Sequence, residues 1–300
     1  MLSPLFRGSG VALVTPFSGG GVNENVLREL VEFHVSSGTD AVVVCGSTGE
    51  AATMTPEEQS AVIRVAVEVA GGRVPVIAGV GGMDTEVVAR LARAAREMGA
   101  DGLLASPPPY SKPTQEGMVL HFRRVIDAGD LPTILYNVPG RTACNILPAT
   151  VEELAGDSRV VGVKEASGDI SQIVELARRV SDRVALYSGN DDQVVPLLAL
   201  GGQGVISVAA NLAPGEISEM VHAYLGGRVE EARELQLRYL PLIQLLFREP
   251  NPIPVKAGVR ALGFDVGEVR LPLTPATEQT MEILLPAMRG LGLSRGVVRE

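Results

Sequence analysis

Short runs rich in Val, Ile and Leu recur along the first two thirds of the chain: "GVALVTPF" from residue 10, "AVVVCGST" from 41, "PVIAGVGG" from 75 and "GLLASPPP" from 102. Four more follow: "PTILYNVP" from 132, "VVGVKEAS" from 160, "VALYSGND" from 184 and "GVISVAAN" from 204. Each is nearly continuously apolar instead of alternating, the pattern of parallel strands covered on both faces. Helical patterns lie between them. Thr55-Pro56-Glu57-Glu58 reads as an N-cap, a proline at the first helical position and a capping-box glutamate, which predicts a helix over 55–70 closed by Gly71-Gly72. Over 84–99 the stripe Val87, Val88, Leu91, Ala95 and Met98 predicts a second, stopped at Gly99.

Strand and helix thus alternate eight times, with starts roughly 20–35 residues apart, which favours a (β/α)8 TIM barrel of the α/β class over a doubly wound sheet. No G-x-G-x-x-G follows the first run, which weakens a dinucleotide fold further. After about residue 225 the pattern becomes helical, in "RVEEARELQLRYLPLIQLLF", "PIPVKAGVRALG" and "TPATEQTMEILLPAMRGLGL". The expected organisation is a barrel over 1–224 that carries the active site, with a C-terminal helical region over 225–300.

Composition narrows the class. At 300 residues, 46% hydrophobic and 20% charged, the chain has the make-up of a soluble globular protein, with no apolar run of membrane-spanning length. A net charge of -9, without a dense Lys/Arg tract, argues against nucleic acid as a partner. Cys45 and Cys144 lack metal-ligand spacing, and "MLSPLFRGSG" lacks the regions of a signal peptide, so the expectation is a reduced, cytoplasmic protein. His34 falls on the Leu27, Leu30, Val31 stripe and reads as a core or interface residue, while His121 and His222 are isolated, so no metal site is expected. Acidic pairs such as Asp191-Asp192 read as capping or solvated groups.

Chemistry in such barrels sits at the C-terminal ends of the strands. There this chain places Thr15-Pro16, Ser47-Thr48, Tyr110, Tyr136, Lys164, Gly189-Asn190 and Ser207. Lys164 is one of only three lysines, against 23 arginines. Alternation puts Val160, Gly162 and Lys164 on one side, with Gly162 leaving room for the long side chain. A desolvated amine has a lowered pKa and can attack a ketone to form a Schiff base. The competing assignment is a lysine paired with a carboxylate such as Glu165, or one that snorkels to the rim. In "YNVPGRT", Tyr136 could carry a proton and Arg141 could grip a carboxylate, or the two could be a packed tyrosine and a loop arginine. "CGSTGEA" offers the hydroxyls of Ser47 and Thr48 with turn amides that could cradle a small carboxylate, though such turns are often only turns. In "PPPYSKPTQEG" three prolines stiffen a loop that presents Tyr110, either for a functional contact or packed on its own loop.

Together, "GSTGEA", "YNVPGRT", "GVKEASGD", "SGNDD", "GVISV" and "EPNPIPVK" resemble, in order and spacing, the dihydrodipicolinate synthase and N-acetylneuraminate lyase superfamily over essentially the whole chain. The arginine of "YNVPGRT" and the "EPNPIPVK" stretch look like the synthase branch, and Ser47 stands where many of its members carry threonine. The resemblance implies an imine between Lys164 and pyruvate, with no other cofactor. Its enamine would attack L-aspartate 4-semialdehyde to give 4-hydroxy-tetrahydrodipicolinate, a step of lysine and diaminopimelate biosynthesis. It further implies Tyr136 as proton carrier, relayed through Ser47 and Tyr110, and Thr48 at the pyruvate carboxylate. Arg141 would bind the aldehyde's carboxylate, and the Ile206 carbonyl and Gly189 would line the site. Tyr110 would cross into a neighbouring subunit of a homotetramer built as two dimers. Pro56, Gln59 and Pro109 replace residues of lysine-inhibited members, which implies weak or absent feedback by L-lysine. The alternatives are a pyruvate-imine lyase acting on a 2-keto-3-deoxy sugar acid or N-acetylneuraminate, and a barrel that binds a ketoacid without turnover.

Overall fold

The computed structural model describes residues 4–293. Residues 294–300 of the expected C-terminal region, and the first three of the N-terminal stretch, lie outside them. Among the described residues eight parallel strands close into a barrel: Gly8–Ala12, Ala41–Val44, Val76–Val80, Gly102–Ala105, Thr133–Asn137, Val160–Glu165, Ala185–Ser188 and Gly204–Ser207. The first strand pairs with both the second and the eighth, which completes the ring. Pairing begins at Gly8, two residues before the first apolar run, because the ladder is set by the neighbouring strand and not by hydrophobicity.

Alternation inside each strand explains the unbroken apolar runs. In Ala41–Val44, Ala41 and Val43 join an inner cluster with Ile77, Leu104, Ile134 and Ile206, while Val42 and Val44 join the outer cluster beneath the helices. Both faces are dry, so both need apolar residues. Burying each Val, Leu or Ile contributes about 1.5–3 kcal/mol, a reserve that tolerates a few costly polar groups at the barrel mouth. The floor is closed by Tyr187, which stacks on Phe6 with centroids 4.4 Å apart and donates its hydroxyl to the Phe6 carbonyl at 2.7 Å.

Eight helices follow the strands in turn: Glu24–Ser36, Pro56–Ala70, Thr85–Glu97, Gln115–Gly129, Pro148–Leu154, Ile170–Val180, Val194–Leu198 and Pro214–Leu225. The capping box at Thr55 and Glu58 is formed in both directions, and Gly71 closes that helix at φ 56°. A short hairpin, Phe17–Ser18 with Gly21–Val22, was not signalled by the sequence. In Thr85–Glu97 the buried stripe is Val88, Ala89, Ala92 and Ala95, and Val87 faces solvent. The expected face is therefore rotated, because alanines carried the burial and alanine marks a core face weakly.

A second correction concerns the sixth strand. The register shifts between Thr133 and Ile134 where they face Val160 and Gly162, so Val160 packs in the outer cluster instead of sharing the inner side with Gly162 and Lys164. Gly162 does leave room, but Tyr187 takes it: a Cβ at 162 would lie 2.9 Å from that ring. His34 is a core residue as expected. His121 and His222 are not isolated, since they meet Thr85 at 2.9 Å and Asp40 at 3.0 Å.

After Gly226 come helices Val229–Leu246, Ile253–Ala261 and Glu278–Gly290. Tyr239, Leu242, Leu246, Val255 and Leu284 enter the same outer cluster as the barrel residues. This packing brings the residues between 247 and 256 to the mouth of the barrel. No helix among the described residues is long and apolar enough to cross a membrane.

Candidate active site

At the C-terminal mouth a small cavity of about 70 Å³ is lined by Ser47, Thr48, Tyr136, Arg141, Lys164 and Gly189, together with Val138, Asn190, Phe247 and Asn251. Larger hollows of about 640 and 380 Å³ lie on the flanks of the C-terminal helices, away from this cluster of reactive groups. The mouth therefore gathers the lysine, tyrosine, arginine and hydroxyl groups although it is not the roomiest hollow.

Lys164 and Tyr136 are direct cross-strand neighbours in the parallel register, both turned inward. The lysine is 5% exposed, and its Nζ lies 4.3 Å from the centre of the Tyr136 ring. Four influences compete on that amine. Burial and the nearby Arg141 favour the neutral form; the negative field of Asp191 favours the ammonium, as does the face of the ring. Burial is the largest, and the pKa is pulled down to about 7. Gly189 admits the side chain, since a Cβ there would stand 3.1 Å from Lys164 Cε and 2.7 Å from Ala166 Cβ.

The pairing with Glu165 does not occur. Glu165 projects to the other face of the strand, where both its oxygens accept from Asn137 Nδ2, at 3.0 and 3.2 Å, and one accepts from the Ser167 amide at 2.7 Å. Burial raises its pKa and these donors oppose the rise. The two motif residues next to Tyr136 and Lys164 thus tie their strands together from behind.

Tyr136 is buried, which pushes its phenol up to about 12, against the lowering field of Arg141. Arg141 leaves the one-turn helix Pro139–Thr142 and donates from Nη2 to the Asn251 carbonyl at 3.2 Å. Thr48 is buried and its Oγ1 accepts from Asn251 Nδ2 at 2.9 Å, whereas Ser47 is exposed at the rim. Thr15 supports the site from below, where its hydroxyl donates to the Gly49 carbonyl at 2.7 Å and fixes the turn.

Two expected site residues lie apart from this cavity. The Ile206 side chain is fully buried in the inner cluster, and from its strand end it is Val208 that lines the cavity. Tyr110 is 85% exposed, on a loop where it and Lys112 take left-handed backbone at φ 68° and 48°. Such backbone costs about 1–3 kcal/mol per residue and persists where something requires it.

Sequence reasoning missed Asn251 and misread Asp191. Asn251 belongs to "EPNPIPVK", where only its motif value was visible. Asp191 is no solvated cap: it is buried, and Oδ2 accepts from the amides of Val208 and Ala209 at 3.0 and 2.9 Å. Burial raises its pKa, and Lys164 opposes that. Among the described residues no group of His, Cys, Asp or Glu is placed to hold a metal ion.

The profile of the dihydrodipicolinate synthetase family matches residues 5–288. A 4-hydroxy-tetrahydrodipicolinate synthase of a Thermoanaerobacter species is 50% identical over 97% of this chain and 98% of its own length. One from Clostridium tetani is 50% identical over 93% and 96%. Among solved structures, dihydrodipicolinate synthase from Aquifex aeolicus superposes with a TM-score of 0.94 at 43% identity, covering 96% of this chain and 99% of that one. The chain belongs to the dihydrodipicolinate synthetase family.

Proposed function

We propose that this enzyme, a lyase, condenses pyruvate with L-aspartate 4-semialdehyde to 4-hydroxy-tetrahydrodipicolinate through an imine on Lys164. The observation that carries the reading is a buried lysine bonded to no carboxylate, its pKa drawn to about 7 by burial, in one cavity with Tyr136 and Arg141. The neutral Nζ attacks C2 of pyruvate, and the carbinolamine loses water as Tyr136 gives a proton to the departing hydroxyl. The Tyr136 phenolate left by that step takes a proton from C3, which gives the enamine and restores the phenol. The enamine C3 then bonds to the aldehyde carbon, whose oxygen takes up a proton. The substrate's own amine closes on C2 and releases the lysine. Thr48 and the turn amides hold the pyruvate carboxylate, and the Arg141 guanidinium receives the carboxylate of the aldehyde.

Arg141 decides between this reading and a lyase for 2-keto-3-deoxy sugar acids. A guanidinium at the outer end of the cavity suits an aldehyde that carries its own carboxylate. Assays of the purified chain with each substrate set should give turnover with pyruvate and aspartate semialdehyde only. Activity confined to a sugar acid would overturn the choice.

The relay from Tyr136 through Ser47 lacks Tyr110 within one chain. We propose that Tyr110 reaches the cavity of a second copy, in a homotetramer of two dimers in the cytoplasm. Its strained, solvent-facing presentation supports this. Sedimentation of wild type should give a tetramer, and Tyr110→Phe should lower kcat by on the order of 10²-fold, the low end of proton-relay effects. A fully active monomer would refute the shared site.

A further inference from the structure

Of the three lysines, Lys256 is the one that the proposed chemistry leaves unused although it is buried as deeply as Lys164. It rises from helix Ile253–Ala261, in the same "EPNPIPVK" stretch as Asn251. Its Nζ donates to Glu50 Oε1 at 2.7 Å and to the Glu268 carbonyl at 3.0 Å. The paired side chains are 2% and 1% exposed. The other carboxylate oxygen of Glu50 accepts from the Arg270 amide at 2.8 Å. Lys256 Nζ and the Arg270 guanidinium lie 4.2 and 3.9 Å from the centre of the Phe17 ring, and the Phe17 amide donates to the Val266 carbonyl at 3.0 Å. One buried knot therefore joins the C-terminal segment, the loop after the first strand and the turn after the second.

The knot is a costly way to dock a helix. Replacing a buried ion pair by packed apolar residues is often neutral or stabilising, so a pair in this place points to a conformational role. The conformation at stake is local. Glu50 sits at φ 56°, a left-handed geometry unfavourable for a non-glycine residue, and it directly follows Ser47, Thr48 and Gly49. The same C-terminal stretch also reaches Thr48 itself, through Asn251. Lys256 does not line the cavity, which sets it apart from Lys164 as a nucleophile.

We infer that the Lys256–Glu50 pair positions the Ser47–Thr48 turn for the ketoacid carboxylate, so that the helical region after the barrel sets affinity for the first substrate. The inference rests on the imine reading above. Lys256 and Glu50 are positioning residues: they act through the turn and touch no substrate.

The test compares wild type, Glu50→Gln and the double variant Glu50→Gln/Lys256→Met. Three quantities are read: the pyruvate concentration for half-maximal borohydride trapping on Lys164, the KM for each substrate, and the thermal melt. Removing one partner of a buried pair is strongly destabilising and can unfold the chain, which is why the neutral double variant is included. In the variants that melt cooperatively, half-saturation by pyruvate should rise about tenfold or more, while kcat at saturating pyruvate and the aldehyde KM stay within about threefold. Unchanged half-saturation in a folded variant, or an equal rise in both KM values, would show a purely structural pair and overturn the inference. If one variant does not fold, the other decides by the same criterion; loss of folding in both would show a purely structural pair and overturn the inference. Wild type that traps no pyruvate would sink the imine reading and this inference together; wild type that traps beside an unaffected folded variant would sink the inference alone.

Discussion

With Lys164→Met, borohydride reduction in the presence of pyruvate leaves no adduct, and turnover falls by on the order of 10⁴-fold or more, as for loss of a covalent nucleophile. The reason is the state of the amine. At its ordinary value near 10.5, a lysine at pH 7 would be neutral about once in three thousand molecules; at about 7 roughly half are neutral. The trapping rate of wild type should therefore rise with pH through about 7 and level above it. The same shift signs the effect on stability. Between about pH 7 and 10.5 the unfolded chain binds a proton that the folded chain has lost, so this group makes stability rise with pH across that window. At neutral pH the buried amine is a liability, and methionine fills the same inner position without it. The variant should thus melt no lower than wild type, which separates lost chemistry from lost fold. A methionine variant that still traps pyruvate, or a trapping rate flat between pH 6 and 8, would remove Lys164 from the centre of the mechanism.

The barrel was legible because parallel strands dry on both faces leave an unambiguous mark, and Thr55, Glu58 and Gly71 announced their caps. What escaped the sequence depended on residues far apart. The register shift opposite Thr133 turned Val160 outward, and no local pattern encodes a bulge. Asp191 looked like a solvated acid until the amides of Val208 and Ala209, from the next strand's end, came to it. Lys164, Tyr136, Arg141 and the hydroxyl turn were visible because they close strands, where the barrel puts its reacting groups. Asn251 and Lys256 were not, because their partners Thr48 and Glu50 stand more than 200 residues away. The candidate reactive groups were readable from the strand ends; the contacts made to their turn by Asn251 and Lys256 belong to the C-terminal packing.

Tyr136→Phe should lower kcat by about 10²–10⁴-fold, the span for a positioned proton carrier, while pyruvate still ends as one reducible adduct on Lys164, formed more slowly. The phenol is held up at about 12, so at neutral pH it is protonated and enters the cycle as an acid, toward the departing hydroxyl. Phenylalanine keeps the ring beside the amine and removes only the transferable proton, so the acid limb near pH 7 should stay where it is. Tyr136→Ala is expected to differ. Loss of the ring removes a contact that favours the ammonium, which would lower the lysine's pKa, but it also admits water, which raises it. Desolvation is the largest influence on this amine, so the second effect wins and the acid limb should move above 7. A limb that moves down in Tyr136→Ala would mean that the ring face, and not dryness, governs Lys164; a Tyr136→Phe enzyme at full speed would hand the proton to water at the rim.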